Sequence, residues 1–175
     1  MRAATVAAHH QLDERLSALD LSRTEHYRRF LQANAAAVLA LETALEAAGI
    51  ADLVEDWPQR TRARAITADL ARLNGAAIPS PMAVTPLDRC GVFGTLYVLE
   101  GSRLGAVYLL RIVAASADPR VRAATRYLGH GAGEGLWRSF LARLDRESVT
   151  ADDEARMIGG AMLAFALFTA AAVAA

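Results

Sequence analysis

No stretch of this chain alternates apolar and polar residues over more than a few positions, and a half-buried β-strand needs that alternation. A sheet is thereby removed, leaving runs with three- and four-residue periodicity separated by helix punctuation. Composition agrees. Apolar residues make up 54% of the chain, with alanine prominent, while aromatics are 6%. Alanine has the best helix propensity, and the β-branched and aromatic types that strands prefer are scarce. A length of 175 residues suits one domain, 1–175, with a substantial core. The expected fold class is all-α.

The punctuation predicts six or seven helices. A first amphipathic helix runs from about Ala3 to Leu19. Ser22, with Glu25 three residues on, reads as a capping box opening a second helix that continues to Gly49. Trp57-Pro58 marks a turn before a third, which stops at Asn74-Gly75. Three prolines make Ile78 to Pro86 an extended linker. A long helix, interrupted by glycines, is expected from about Leu87 to Ala117, and Asp118-Pro119 caps the next. The run from Gly129 to Gly135 breaks the chain before Trp137 to Arg146, and Thr150 caps the last helix with Asp153 and Glu154 in its first turn.

Nineteen basic residues balance nineteen acidic ones, which argues against a general grip on nucleic acid. Every basic residue is Arg, so any anion held by a side-chain cation is held by a guanidinium or a histidine. Cys90 is alone, and the N-terminus lacks the apolar core of a signal peptide, which together point to the cytoplasm. Met157 to Ala175 carries no charge and approaches spanning length, but alanine and glycine dominate it. The expectation is a buried core helix and no membrane.

His9 and His10 fall on different helix faces. His9 shares a stripe with Val6, Leu12 and Leu16, whereas His10 lies with Asp13, Glu14 and Ser17. A histidine on a core face must have its ring nitrogens satisfied, by a carbonyl or by a metal such as a haem iron. Arg2 precedes His9 by nearly two turns, about 10 Å along the axis. Farther on, Gly94, Tyr97, Gly101, Gly105 and Tyr108 recur at three- and four-residue steps. Each glycine costs up to about 1 kcal/mol inside a helix. Something must approach that face closely, either another helix or a flat ligand.

These segments resemble a known family. The run LYVLEGSRLGA is similar to the distal-helix signature of bacterial haem oxygenases, particularly the biliverdin-producing type that accompanies bacteriophytochromes. RAATVAAHHQLDERL resembles that family's proximal helix, in which Thr, three residues and then His supply the iron ligand; the spacing selects His9 from Thr5. Weaker likeness covers HYRRFL, the glycine-rich break and the closing helix.

The resemblance implies a haem-oxygenase-like helical bundle with His9 as proximal ligand. It places Gly101, Ser102 and Gly105 at the distal wall, Arg2 and Tyr97 at the haem propionates, and Phe165 and Phe168 beside the macrocycle. Haem would be both substrate and cofactor, and O2 a co-substrate, with Ser102 and ordered water supplying a proton. The products would be biliverdin, CO and iron. Electrons would come from an external donor (ferredoxin, flavodoxin or a reductase), and a bacteriophytochrome would be the biliverdin client. Arg103 departs from the family, which often has a smaller polar residue there; it would point outward or intrude on the pocket.

Three other readings share the same residues: a haem carrier or sensor that leaves its ligand intact, a thiamin-degrading relative, and a helical interaction module using the glycines as a seam. Cys90 has only Asp88 near it in sequence, which disfavours the thiamin chemistry, and it reads as small core. GHGAGEG has no strand before it, so it reads as a flexible break rather than a phosphate loop. His26 reads as a surface or capping residue. Glu100 reads as facing solvent or paired with an arginine.

Overall fold

The Thr150 side chain accepts a hydrogen bond from the Asp153 N–H, and the Asp153 carboxylate accepts one back from the Thr150 N–H. This reciprocal cap opens the last helix at the expected place. In the computed structural model, which describes residues 1–175, side-chain caps from within the local sequence open three of the helices. The helices are α1 (Arg2–Ser17), α2 (Thr24–Ala47), α3 (Trp57–Arg60), α4 (Ala63–Arg72), α5 (Arg89–Ala114), α6 (Pro119–Ala123), α7 (Leu136–Leu144) and α8 (Ala151–Ala174), with a 3-10 turn at Ile50–Asp52. There is no strand, and the fold is all-α.

Asn74 takes the left-handed conformation (φ 53°) that closes α4, with the Gly75 N–H bonded to the Leu70 carbonyl. The prolines keep residues 76–88 out of regular structure until Asp88 caps α5 by accepting from the Gly91 N–H at 2.7 Å. Asp118 caps α6, with Pro119 in its first turn.

Three expectations are corrected. There are eight α-helices rather than six or seven, the expected third helix being divided at Thr61–Arg62 into α3 and α4. Ser22 does not cap α2: its N–H and hydroxyl both donate to Asp20, at 3.1 and 2.6 Å, so the hydroxyl is spent on that turn and the helix starts at Thr24. The glycines do not interrupt α5, which runs unbroken, because α8 and a set of buried side chains hold it from behind.

The core is organised on α8, which packs against α1, α2 and α5. Its Met157, Ala161, Ala164, Leu167 and Phe168 are buried. A Cβ at Gly94 would overlap the Met157 carbonyl, so the crossing of α5 over α8 depends on glycine there. By length and hydropathy α8 could cross a membrane. Here it is the central packing helix, as expected from its alanines. Deeper still, Glu42 of α2 accepts from the N–H groups of Arg62 and Ala63, capping α4 from a neighbouring helix.

Candidate functional site

α1 and α5 both rest on α8, and neither is a main neighbour of the other. The second half of α5 has two unlike faces. Leu99, Glu100, Arg103, Ala106 and Val113 are buried, whereas Ser102, Leu104, Gly105, Val107 and Tyr108 are exposed. Leu104 and Tyr108 are 60% and 66% exposed, and a Cβ at Gly105 would meet nothing within 4 Å. Bare apolar side chains on a helix whose other face is core mark a surface for a ligand or partner.

On α1, the His9 side chain is 62% exposed, and its Nδ1 lies 2.9 Å from an Asp13 carboxylate oxygen. The ring stands edge-on to Phe165, with centroids 6.0 Å apart. The expected burial of the His9 stripe is therefore corrected: Val6 is exposed as well, Leu12 and Leu16 are half-buried, and Thr5 is the buried residue of this helix. The reason is tertiary. α1 has α8 as its main neighbour, and one helix covers a narrow strip. Thr5 uses its hydroxyl on the Arg2 carbonyl at 3.2 Å, leaving His9 one turn on and facing out. The Asp13 carboxylate is thus the polar group nearest Nδ1, and a carboxylate in that place is the kind of neighbour that orients a metal-ligating histidine.

The five-residue glycine face divides among three surroundings. Gly94 meets α8. Tyr97 is edge-on to Trp137 of α7 at 5.3 Å, and a Gly101 Cβ would stand 3.7 Å from the same indole. Only Gly105 and Tyr108 are bare. Ser102 donates its hydroxyl proton to the Leu99 carbonyl at 2.8 Å and accepts from Arg62 Nη1 at 3.1 Å, so that proton is committed to the helix. Phe165 and Phe168 are buried in α8, and Arg2 is exposed at the start of α1.

Behind α5 lies a buried charged cluster; of the two expectations for Glu100 the pairing with an arginine holds, while the burial and the rest of the cluster were not foreseen. Arg60 and Arg103 both donate to Glu100, which is 1% exposed. Arg60 also holds Asp56, the Ser139 hydroxyl and the Leu136 carbonyl. Arg62, equally buried, donates to the Leu99 carbonyl and lies over the Tyr127 ring. Arg103 neither points outward nor enters the bare face; it leaves α5 on the opposite side. Its Nη1 contacts the ring Nδ1 and the carbonyl of His130, at 3.2 and 3.1 Å. Burial, reinforced by Arg103 and Arg62, lowers the pKa of His130 below its usual range. The density of arginine in RTRAR (60–64) was the one available hint.

A separate apolar groove of about 650 Å³ lies between α2 and residues 78–87, and none of the residues lining it is titratable.

The family described as Heme oxygenase matches residues 1–173 of the chain. Among solved structures, the NO- and CO-bound heme oxygenase from Neisseria meningitidis superposes with a TM-score of 0.76. It shares 24% identity, and the match covers 98% of this chain and 87% of that one. No curated protein matches in sequence.

Proposed function

The chain belongs to the haem oxygenase family, and we propose that it binds haem between α1 and α5 and opens the ring to biliverdin, with release of CO and iron. The observation that carries this reading is the exposed His9 imidazole on α1, with its Nδ1 2.9 Å from an Asp13 carboxylate oxygen.

The residues present fit a haem. A flat apolar molecule with a metal at its centre would need a nitrogen ligand, apolar walls and close backbone approach. His9 offers the first, Phe165, Leu104 and Val107 offer the second, and Gly105 with its open Cβ position offers the third. When bound, haem supplies the iron at which O2 is activated and the carbon bridge that is cut.

The chain's own contribution is positioning and exclusion of water. His9 would hold the iron, restrained by Asp13. The α5 backbone at Gly101 and Gly105 would limit the room across from it. Arg2 and Tyr97 would hold the propionates and so set which edge of the ring faces that wall. Because the Ser102 hydroxyl proton is donated to Leu99, Ser102 serves that wall by fixing ordered water through its oxygen. Phe165 and Phe168 pack beside the macrocycle. Electrons come from a ferredoxin, a flavodoxin or a reductase. The likeness of LYVLEGSRLGA to the bacteriophytochrome-associated type supports a cytoplasmic enzyme with a bacteriophytochrome as client.

The test is an absorption titration with haemin, followed by reductant in air. A Soret band saturating at one equivalent, then lost as a broad red biliverdin band grows, supports the reading. A Soret band that survives reduction makes the protein a carrier or sensor, and no saturable band overturns haem binding altogether.

A further inference from the structure

The guanidinium of Arg103 has all its N–H groups engaged. Nε donates to one Glu100 oxygen at 3.0 Å, and Nη2 donates to the other at 2.8 Å. Nη2 also donates to the Arg60 carbonyl at 2.6 Å. Nη1 meets the His130 carbonyl at 3.1 Å and the His130 ring Nδ1 at 3.2 Å. A guanidinium has five N–H donors and no acceptor, so this one is fully used, on three separate segments: α5 itself, the end of α3, and the glycine-rich loop. Because Arg103 can only donate, His130 Nδ1 must accept, which fixes the ring as the Nε2–H tautomer.

The position of this fork in α5 matters. Arg103 lies two residues from both Gly101 and Gly105, about 200° around a helix with 3.6 residues per turn. It therefore anchors from behind a turn whose front is covered by Trp137 at Gly101 and bare at Gly105. That turn has weak support of its own: two glycines and a partly uncovered face. The loop it is tied to is also built on glycine, with positive φ at Gly131, Gly133 and Gly135. A Cβ at Gly131 would come within 3.2 Å of Arg103 Nη1 and 2.5 Å of the Leu136 side chain, so the loop is fitted closely around the fork.

We infer that Arg103 is a positioning residue: from the reverse side of α5 it locks the Gly101–Gly105 turn to the glycine-rich loop, and this lock fixes the wall that determines which edge of the haem is cut. The inference rests on the proposed haem function for its consequence, but not for the lock itself.

The test uses the full chain with Arg103→Met, which fills the buried volume without a charge and leaves Glu100 paired with Arg60. In the haem-free protein, amide hydrogen exchange should quicken at residues 99–106 and 129–135 together by roughly tenfold or more, the equivalent of losing one charge-assisted hydrogen bond. Exchange in α2 and α8 should not change. Nitrogen NMR of the His130 ring should show the Nε2–H tautomer in the unmodified protein and a mixture in the variant. With haemin, the variant should bind within about threefold of the unmodified affinity, since His9 is untouched, yet yield an altered ratio of biliverdin isomers.

Exchange that quickens everywhere, or nowhere, overturns the lock. Local loosening with an unchanged isomer ratio overturns the specificity role. Should Arg103→Met fail to fold, Arg103→Lys carries the same test, keeping the charge and losing the fork; unmodified exchange in that variant overturns the lock. Absence of haem binding by the unmodified protein defeats the functional reading, while the exchange and tautomer results still decide the lock.

Discussion

The Nδ1 atom of His9 stands 2.9 Å from a carboxylate oxygen of Asp13, one helical turn further along α1. Both side chains are largely exposed, so the pair adds little to the core; its consequence is to restrain the ring. Replacing His9 with Ala should abolish turnover while helix content and thermal stability stay within about 0.5 kcal/mol of the unmodified protein, as expected of an exposed position. Asp13→Asn should keep haem binding but weaken it about 10- to 100-fold, the usual effect of losing a ligand's carboxylate partner. His10→Ala should change neither. Haemin titration of the three variants checks all of this, and full activity without His9 would remove it as the ligand.

Gly94 and Gly105 lie on the same helix and should respond oppositely to an added methyl group. At Gly94 the new Cβ would overlap the Met157 carbonyl, so α5 and α8 must separate. Gly94→Ala should therefore destabilise the haem-free chain by about 1–3 kcal/mol or more. At Gly105 nothing lies within 4 Å, so Gly105→Ala should be neutral or stabilise the haem-free helix by up to about 1 kcal/mol. Gly105→Leu should also fold, yet lose haem affinity, because the side chain fills the space a flat ligand needs. Urea denaturation paired with haemin titration separates the two effects; a Gly105→Leu variant with unchanged affinity would place the ligand elsewhere.

Glu100 receives two buried arginines, and removing it leaves both without their shared counter-charge. Glu100→Ala should cost about 3–5 kcal/mol, the range for breaking a buried ion pair from one side. Glu154→Ala, which breaks an exposed pair with the N-terminus, should cost under about 1 kcal/mol. Equal losses in denaturant melts would mean that the buried cluster does not hold α5.

These cases show what a sequence reveals. The caps at Thr150 and Asp118 and the stop at Asn74 were legible because the atoms that make them lie within a few residues of each other. The preference for His9 over His10 rests on the spacing to Thr5 and the family resemblance, and both rings are exposed. The depth of His9 was not legible, since periodicity shows which residues share a face but not how many helices cover it. Ser22 failed as a cap because Asp20, two residues back, competes for the same hydroxyl, a choice between two local motifs that composition does not decide. The Arg60–Glu100 pair was out of reach for a different reason: forty positions separate its members. An arginine-rich turn and a mid-helix carboxylate each have an unremarkable solvent-facing explanation until the fold brings them together.

Asp69 provides a pH test that is independent of haem. It is fully buried on α4, where one carboxylate oxygen accepts from the Tyr127 N–H at 2.8 Å and the other has no partner. Burial raises its pKa above the ordinary 3.8, outweighing the backbone hydrogen bonds that act to lower it. Between its unfolded and folded pKa values the native state therefore binds more protons than the unfolded chain. The stabilising contribution of Asp69 is complete below the unfolded value and is lost as pH rises through the folded one. Asp69→Asn removes the titration. Relative to the unmodified protein, the variant should gain stability as pH is raised from about 3.8 through the folded pKa of Asp69 and show no further gain above it. Urea denaturation at half-unit pH intervals measures the difference; a variant that instead loses stability relative to the unmodified protein as pH rises would mean that a hydrogen-bonded, ionised Asp69 is the favoured state and that its second oxygen has a partner in solution.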